Sequence, residues 1–324
     1  MNLLFSCIGQ RGYIADFFRA HLSPSDRIIG TGNTKWTPGF ADCDASFILP
    51  DIDHEDYVPS VLDLCEREHI NAVLSFSDPD VFKLSTAEER FAERGVVPLM
   101  PAPKIAEIAF DKLKTFEFLR DHGYSTPKTA ADLSSARELK QPLYVKPRRG
   151  SGSRSTFLAR SADELEVLFT YESDMIVQEA IFGEEIDIEL CGDLDGRPVG
   201  ICTWRKFKSR LGETERAETF RDPSILDFGL RLGELLRVRG PMDVDVIRVE
   251  DELFVLELNP RFGGGYPVSH LAGADFPRLL LQMLRPGSAI EANFGFEPGV
   301  VMMKRLEIIG GPADDFFRTH LGVE

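Results

Sequence analysis

The sequence predicts an α/β and α+β protein, with a doubly wound N-terminal unit followed by a larger α+β portion. Three observations carry that reading. Over residues 1–103, short apolar runs alternate with segments of helical spacing, as a mostly parallel sheet covered by helices requires. Pro98, Pro101 and Pro103 then punctuate a boundary. Beyond it lies the stretch around which the chain is organised, PMDVDVIRVEDELFVLELNPR, Pro241 to Arg261. It reads as two strands folded back on an acidic tip around Asp251.

In the N-terminal unit, Leu3–Ile8 reads as a strand, Gly9-Gln10-Arg11-Gly12 as a turn and Tyr13–His21 as a helix. A glycine turn between strand and helix can approach a phosphate. Here the spacing is only Gly-x-x-Gly, without the third glycine of a dinucleotide site, so a tight structural turn is the better reading. Strands follow at Arg27–Gly30, Ser46–Leu49 and Ala72–Phe76, with a helix at Tyr57–Glu68. Asp78-Pro79-Asp80 ends the last of these strands, where open α/β sheets bind ligands and where a helix cap would also sit. Val96–Met100 completes the unit.

Ala106–His122 has the spacing of one helix, closed by Gly123, with Asp111-Lys112 inside it. Pro142–Pro147 reads as a short strand carrying Lys146 that feeds Arg148-Arg149-Gly150-Ser151-Gly152-Ser153-Arg154. Small residues free backbone N–H groups to form an anion nest, and the cations add charge, so this loop suits phosphate. It lacks the order of a Walker A loop. Phe157–Ala159 and Ile176–Gln178 are strands, with a helix at Ala162–Tyr171 between them. Glu185–Leu190 alternates acid and aliphatic, placing Glu185, Asp187 and Glu189 on one face, as a solvated strand would. Gly200–Phe207 is its expected antiparallel partner, and Lys206, Lys208, Arg210 and Arg216 are assigned to a polar loop. Ser224–Val238 is a strongly amphipathic helix. After Arg261 come three glycines, a helical stretch Val268–Leu284 and a strand within Val300–Ile309.

If residues equally far from Asp251 face each other, Asp245 lies opposite Glu257 and Asp243 opposite Asn259. Alternation puts these four on one face and Val244, Val246, Phe254, Leu256 and Leu258 on the other. Ile247, Val249, Leu253 and Val255 then share the acidic face. Facing carboxylates repel, so a cation must compensate. Arg261 alone lies past the strand end, whereas a hard divalent ion takes carboxylate and phosphate oxygens. A solvated acidic edge would read similarly.

At 324 residues the chain can hold two or three cored domains. Its formal net charge of −16 argues against a nucleic-acid or anionic-membrane partner. The five cysteines have no metal spacing. No apolar run reaches a membrane span, and LLFSCI lacks a basic leader, so a reducing cytoplasm is expected.

Asp111-Lys112, Val145-Lys146 with its Gly/Ser loop, Gln178-Glu179-Ala180-Ile181 with Gly183, and Glu257-Leu258-Asn259-Pro260-Arg261 together resemble the ATP-grasp superfamily. The likeness is to its carbamoyl-phosphate-synthase-like, single-unit members. It implies a pre-ATP-grasp α/β domain over residues 1–103 and an ATP-grasp domain over 104–324. The latter would divide into a lid subdomain at about 124–180 and a C-terminal subdomain at about 181–324. The resemblance further implies that Lys112 and Lys146 contact the phosphates of ATP, with the Gly150-Ser151-Gly152-Ser153 loop closing over them. Glu179 and the backbone of Ile181 would meet adenine, and Glu185 the ribose. Asp245, Glu257 and Asn259 would hold magnesium, with manganese the alternative hard ion. Arg261 would stabilise the transferring phosphoryl group. Asp245 stands where relatives often carry Gln or Glu.

The implied activity is an ATP- and magnesium-dependent carboxylate–amine ligase acting through an acyl phosphate. Its partners are then a small carboxylate and a small amine, with Tyr266 and His270 as candidate contacts, and a homodimer is open to it. A non-catalytic ATP-binding or regulatory protein of the same fold is the alternative. It has less need of Glu257, Asn259 and Arg261 together. A nicotinamide oxidoreductase resting on Gly9 and Gly12 leaves both lysines and the acidic hairpin unexplained.

Overall fold

The computed structural model describes residues 1–150, 152, 155–171, 174–210, 213–285, 287–313 and 317. Five strands open the chain: β1 (Asn2–Ser6), β2 (Arg27–Gly32), β3 (Ala45–Ile48), β4 (Ala72–Ser75) and β5 (Val97–Pro98). They pair in parallel in the order β3-β2-β1-β4-β5. Both faces are buried, so the strands read as continuous apolar runs. Leu3, Phe5 and Leu74 pack on one side with Phe18, while Leu4, Ile29 and Val73 pack on the other with Val61 and Leu62. The strand order reverses between β1 and β4. Their carboxyl ends therefore open a crevice, and Gly9–Gly12 and Asp78 lie there.

A four-stranded antiparallel sheet follows, made of β6 (Thr129–Ala130), β7 (Leu143–Pro147), β8 (Phe157–Ala159) and β9 (Met175–Glu179) in the order β6-β9-β7-β8. Leu143, Val145 and Val177 face its small core. Period-two alternation sends Lys146 to the opposite face.

The largest sheet holds β10 (Glu184–Gly192), β11 (Pro198–Arg210), β12 (Glu213–Thr219), β13 (Gly240–Val249), β14 (Glu252–Asn259) and β15 (Val301–Met303). Its order is β14-β13-β10-β11-β12-β15, antiparallel throughout. The helix Pro223–Leu236 covers one face, packing Ile225, Leu232 and Leu236 with Ile188, Leu190, Ile201 and Val244. The other face carries the acids.

Several elements differ from the sequence reading, each for a local reason. The single helix expected over Ala106–His122 is two, Pro103–Phe110 and Lys112–Asp121. Asp111 leaves helical geometry and caps the second, its carboxylate accepting from the N–H groups of Leu113 and Lys114. Val268–Leu284 likewise divides into Tyr266–Leu271 and Phe276–Leu284, the latter capped by Asp275. Lys206, Lys208 and Arg210 lie on β11 and Arg216 on β12, not in a loop. Only Val301–Met303 of the expected C-terminal strand pairs with a neighbour.

The hairpin pairs Asp243 with Asn259 and Asp245 with Glu257, but a bulge beyond Asp245 sets Val246 opposite Val255. One extra residue on β14 inverts the facing of that strand's residues nearer the tip, while Val246 on β13 stays in the core as expected. Val255 therefore enters the core and Leu253 packs against it, while Phe254 and Leu256 remain half-buried.

The N-terminal unit is joined to the large sheet at the start of β13. Arg239 bonds Glu88 at 2.6 Å, and Gly240, at φ +72°, packs beneath the Leu99 carbonyl. A Cβ on Gly240 would lie 2.4 Å from that oxygen. Gly240→Ala should therefore cost at least about 1 kcal/mol of stability, read as a lower urea midpoint.

Candidate active site

Three neighbouring strands bring six polar side chains into a grid. In register across β10, β13 and β14 run Asp187, Asp245 and Glu257, and in the next row Glu189, Asp243 and Asn259. All six share one face. Asp187, Glu189 and Asp243 are buried, with 2%, 0% and 4% exposure, so the β10 acids are not the solvated face their alternation suggested.

Two cations lie within this grid. Lys206, reaching over from β11, donates to Asp245 Oδ1 at 2.5 Å and stands 3.2 Å from Asp187 Oδ1. Arg261 lies past the end of β14, as expected, yet it is buried and its guanidinium reaches back into the grid. It bonds Asp243 Oδ2 at 3.4 Å and Asn259 Oδ1 at 3.1 Å, and reaches Asp78 Oδ1 of the N-terminal unit at 3.2 Å. The positive charge required by the facing acids is thus supplied in part by the protein itself.

Five carboxylates against two cations leave a negative surplus, and the titration behaviour follows from it. Burial, then Asp245, pushes Asp243 up to about 6. Burial also raises Glu189, with Asp243 adding repulsion, and raises Asp187 against the pull of Lys206. Burial opposes charge on Asp245 too, but Lys206 overcomes it and holds that carboxylate below its ordinary value. Lys206 and Arg261 are likewise penalised by burial, and their acidic neighbours hold both firmly protonated.

The second half of the site comes from the four-stranded sheet and the capped helix. Lys146 Nζ lies 3.5 Å, and Lys112 Nζ 3.9 Å, from Glu257 Oε1. Lys112 also donates to the Gly150 carbonyl at 2.7 Å, which ties the Gly/Ser loop to the helix N-terminus. Arg148 reinforces that tie through Asp111 at 2.7 Å. Burial lowers the Lys146 pKa, and Glu257 partly restores it. Two ammonium groups beside one carboxylate leave room for an anion. A pocket here is lined by Asp78, Lys112, Thr115, Gly150, Glu257 and Asn259.

The donors fit a hard divalent ion, since Glu257 and Asn259 are oxygen-bearing residues that line the pocket. Asp187 Oδ2, Glu189 Oε1 and Asp243 Oδ1 are buried without a hydrogen-bond partner among the described residues, so the cluster has oxygen capacity to spare. All three expected ligands already have protein partners: Asp245 accepts from Lys206 and, at 2.8 Å, from the Asn259 amide, Asn259 Oδ1 accepts from Arg261, and Glu257 accepts from Lys146.

The remaining expected residues are spread along the lid edge. The Glu179 carboxylate accepts from the Lys140 N–H at 3.1 Å, and its own N–H donates to the Lys128 carbonyl at 2.9 Å. Ile181 is half-buried and Glu185 is exposed. Gly150 and Gly152 are described, whereas Ser151 and Ser153 lie outside the described residues. Tyr266 is not a substrate contact. It is fully buried, donates to the Ala274 carbonyl at 3.1 Å and accepts from the Phe276 N–H at 3.0 Å. His270 stacks on Phe17 at 4.0 Å and faces Asp275.

With this geometry in place, residues 109–265 match the ATP-grasp domain family and residues 3–99 match the PylC-like, N-terminal domain. This chain carries an ATP-grasp domain. Among its ATP-grasp relatives is the carbamoyl phosphate synthase large chain of Clostridium beijerinckii, 25% identical over 75% of this chain and 25% of that one. The chain thus spans about a quarter of that relative's length. The D-alanine–D-alanine ligase of Nitratidesulfovibrio vulgaris is 29% identical over 56% of this chain and 68% of that one. Among solved structures, an L-amino acid ligase from Bacillus licheniformis matches with a TM-score of 0.71 at 20% identity, over 92% of this chain and 77% of its own. The N5-carboxyaminoimidazole synthetase of Staphylococcus aureus complexed with ADP matches at 0.71 and 13%, over 93% and 79%. Both structural likenesses concern the fold. No helix among the described residues is long and apolar enough to cross a membrane.

Sequence reasoning did not place Lys206, Asp187 and Glu189 in this site. The alternation of EIDIEL was the available signal, because a strand beside an acidic hairpin must share its electrostatic problem. Lys206→Met would leave Asp187 and Asp245 facing each other in a buried setting. It should cost roughly 3 kcal/mol in urea unfolding. Adding Asp187→Asn to that variant should recover much of the loss.

Proposed function

We propose that the chain is an ATP- and magnesium-dependent carboxylate–amine ligase that forms an acyl phosphate and releases ADP and phosphate. The observation that carries this reading is the convergence of Lys112 and Lys146 on Glu257, beside a pocket lined by Lys112, Glu257 and Asn259, the last of which is bonded to buried Arg261. A cationic pair beside an oxygen-donor set suits a polyphosphate and its counter-ion.

In this reading Lys112 and Lys146 bind the phosphates, and the loop from Gly150 to Ser153 covers them. Glu179 and the backbone of Ile181 take the adenine edge, and Glu185 the ribose. Asp245, Glu257 and Asn259 would hold magnesium, which draws charge from the phosphates when bound. Arg261, fixed by Asp78 and Asp243, faces the transferring phosphoryl group. A carboxylate oxygen attacks the γ-phosphorus and ADP departs. The amine nitrogen then attacks the acyl carbon, phosphate leaves with the C–O bond, and the nitrogen gives up a proton. No enzyme nucleophile is needed. The names of two relatives, D-alanine–D-alanine ligase and L-amino acid ligase, support amino acids as the substrate class. The division into domains at 103/104 belongs to the same reading.

Measuring ADP release across a grid of carboxylates and amines with magnesium tests the proposal. Dependence on both substrates supports it, and ATP turnover indifferent to either removes it. Glu257→Gln should abolish ADP formation while leaving the melting temperature within a few degrees of wild type. Lys146→Ala should weaken binding of a non-hydrolysable ATP analogue by about ten-fold or more in calorimetry, since it removes a charge-assisted contact.

A further inference from the structure

On the far side of the turn that follows Arg261, a second cationic pair meets a single acid. Arg11 from the β1 turn contacts Glu213 Oε1 with Nε at 2.9 Å and Nη2 at 2.6 Å. Lys304, just past β15, contacts Glu213 Oε2 at 3.0 Å. The three residues come from the N-terminal unit, the start of β12 and the C-terminal segment. They meet over Phe262 and Gly264.

The cations and the acid are held differently. Arg11 also donates to the Phe262 carbonyl at 2.8 Å, and Lys304 to the Gly264 carbonyl at 2.6 Å and to Tyr13 Oη at 3.3 Å. Backbone therefore fixes both cations whether or not Glu213 is present. The Glu213 carboxylate has no other partner among the described residues. Its side chain is 33% exposed, against 12% for Arg11 and 25% for Lys304, so it lies on the solvent side of the pair. Gly264 leaves that space open, for a Cβ there would stand 2.7 Å from Glu213 Oε2. Burial opposes the charge on Glu213, and Arg11 and Lys304 overcome it, bringing its pKa down to about 2. Phe262, whose carbonyl Arg11 holds, adjoins Arg261 in the chain, so the pair lies close to the reacting centre.

We propose that Arg11 and Lys304 form a seat for a substrate carboxylate that the reaction does not consume, and that Glu213 fills this seat until the substrate displaces it. The inference rests on the ligase reading and narrows its substrate class. The reacting carboxylate belongs at Arg261, where the phosphoryl group arrives. A second carboxylate needs its own cations, and these lie one short turn away. Such a group is carried by an amino acid serving as the amine, or by a dicarboxylate serving as the acyl donor.

The test uses the full chain with MgADP and reads ligand-induced shifts of melting temperature. The probes are the twenty common amino acids and D-alanine, the dicarboxylates succinate, glutarate and malate, and the amides of each. Glu213→Gln should bind at least one carboxylate probe about ten-fold more tightly than wild type, because the internal competitor is gone. Lys304→Met should bind the same probe about ten-fold more weakly, and the matching amide should ignore both changes. A hit among the amino acids assigns the seat to the amine, and one among the dicarboxylates assigns it to the acyl donor. If Glu213→Gln binds no probe more tightly than wild type, or the amide responds equally, the seat is overturned. Each shift is taken from the variant's own unliganded value, so a general loss of stability does not imitate the result. Carboxylate binding in this order without ATP turnover would sink the ligase reading alone. Turnover without this order would sink the seat alone.

Discussion

The arrangement of this protein depends on two buried cations set among more acids than they can neutralise. Lys206 bridges Asp187 and Asp245, and Arg261 bridges Asp243 and Asp78. Either charge alone would carry a desolvation penalty of several kcal/mol, which only close and well-oriented partners offset. The strands that hold those partners are thereby fixed relative to one another. Glu257 and Asn259 inherit their positions from that constraint, because they occupy the outer column of the same grid. The site is thus built before any nucleotide arrives, as electrostatic preorganisation requires.

The surplus of acid determines what such a site can receive. Had Lys206 and Arg261 balanced the grid, a divalent ion would gain little there. Instead Asp187 and Asp243 keep buried oxygens without partners among the described residues, and burial lifts their proton affinities. Lys112 and Lys146 both stand beside Glu257, an excess of positive charge at the pocket's edge. The bare hairpin sequence leaves neutralisation of its facing acids to a divalent ion. The structure divides that task between tethered cations and whatever the pocket binds.

What could be read from the sequence follows the range of the interactions involved. The pairing of Asp245 with Glu257 was legible, since a short tip and period-two alternation set it locally. The bulge beyond Asp245 was not, because one inserted residue changes neither composition nor period. Lys206 looked like a loop charge because its partners, Asp187 and Asp245, come from other strands. Asp111 was hidden inside an unbroken helical pattern, and only its cap bonds to Leu113 and Lys114 reveal the break that turns Lys112 toward the Gly150 loop. The lysines and the E-x-N-P-R element were readable as family signatures, but their geometry is non-local.

The N-terminal unit is more than an appendage to this machinery. Asp78, at the carboxyl end of β4, clasps the same guanidinium that Asp243 holds from the large sheet. Arg11, from the turn after β1, bonds the carbonyl of the next residue, Phe262. Both contacts arise where the parallel sheet changes direction, the place where such sheets leave a crevice. An acyl phosphate exposed to water would hydrolyse before an amine reached it, so a ligase gains from a site walled on every side. Two sheets of different origin closing on one arginine provide two of those walls, and the lid sheet with Lys146 provides a third. Removing the N-terminal unit would therefore strip Arg261 of a partner and open the reacting centre at the same time, which explains why the fold commits its charged residues to that joint.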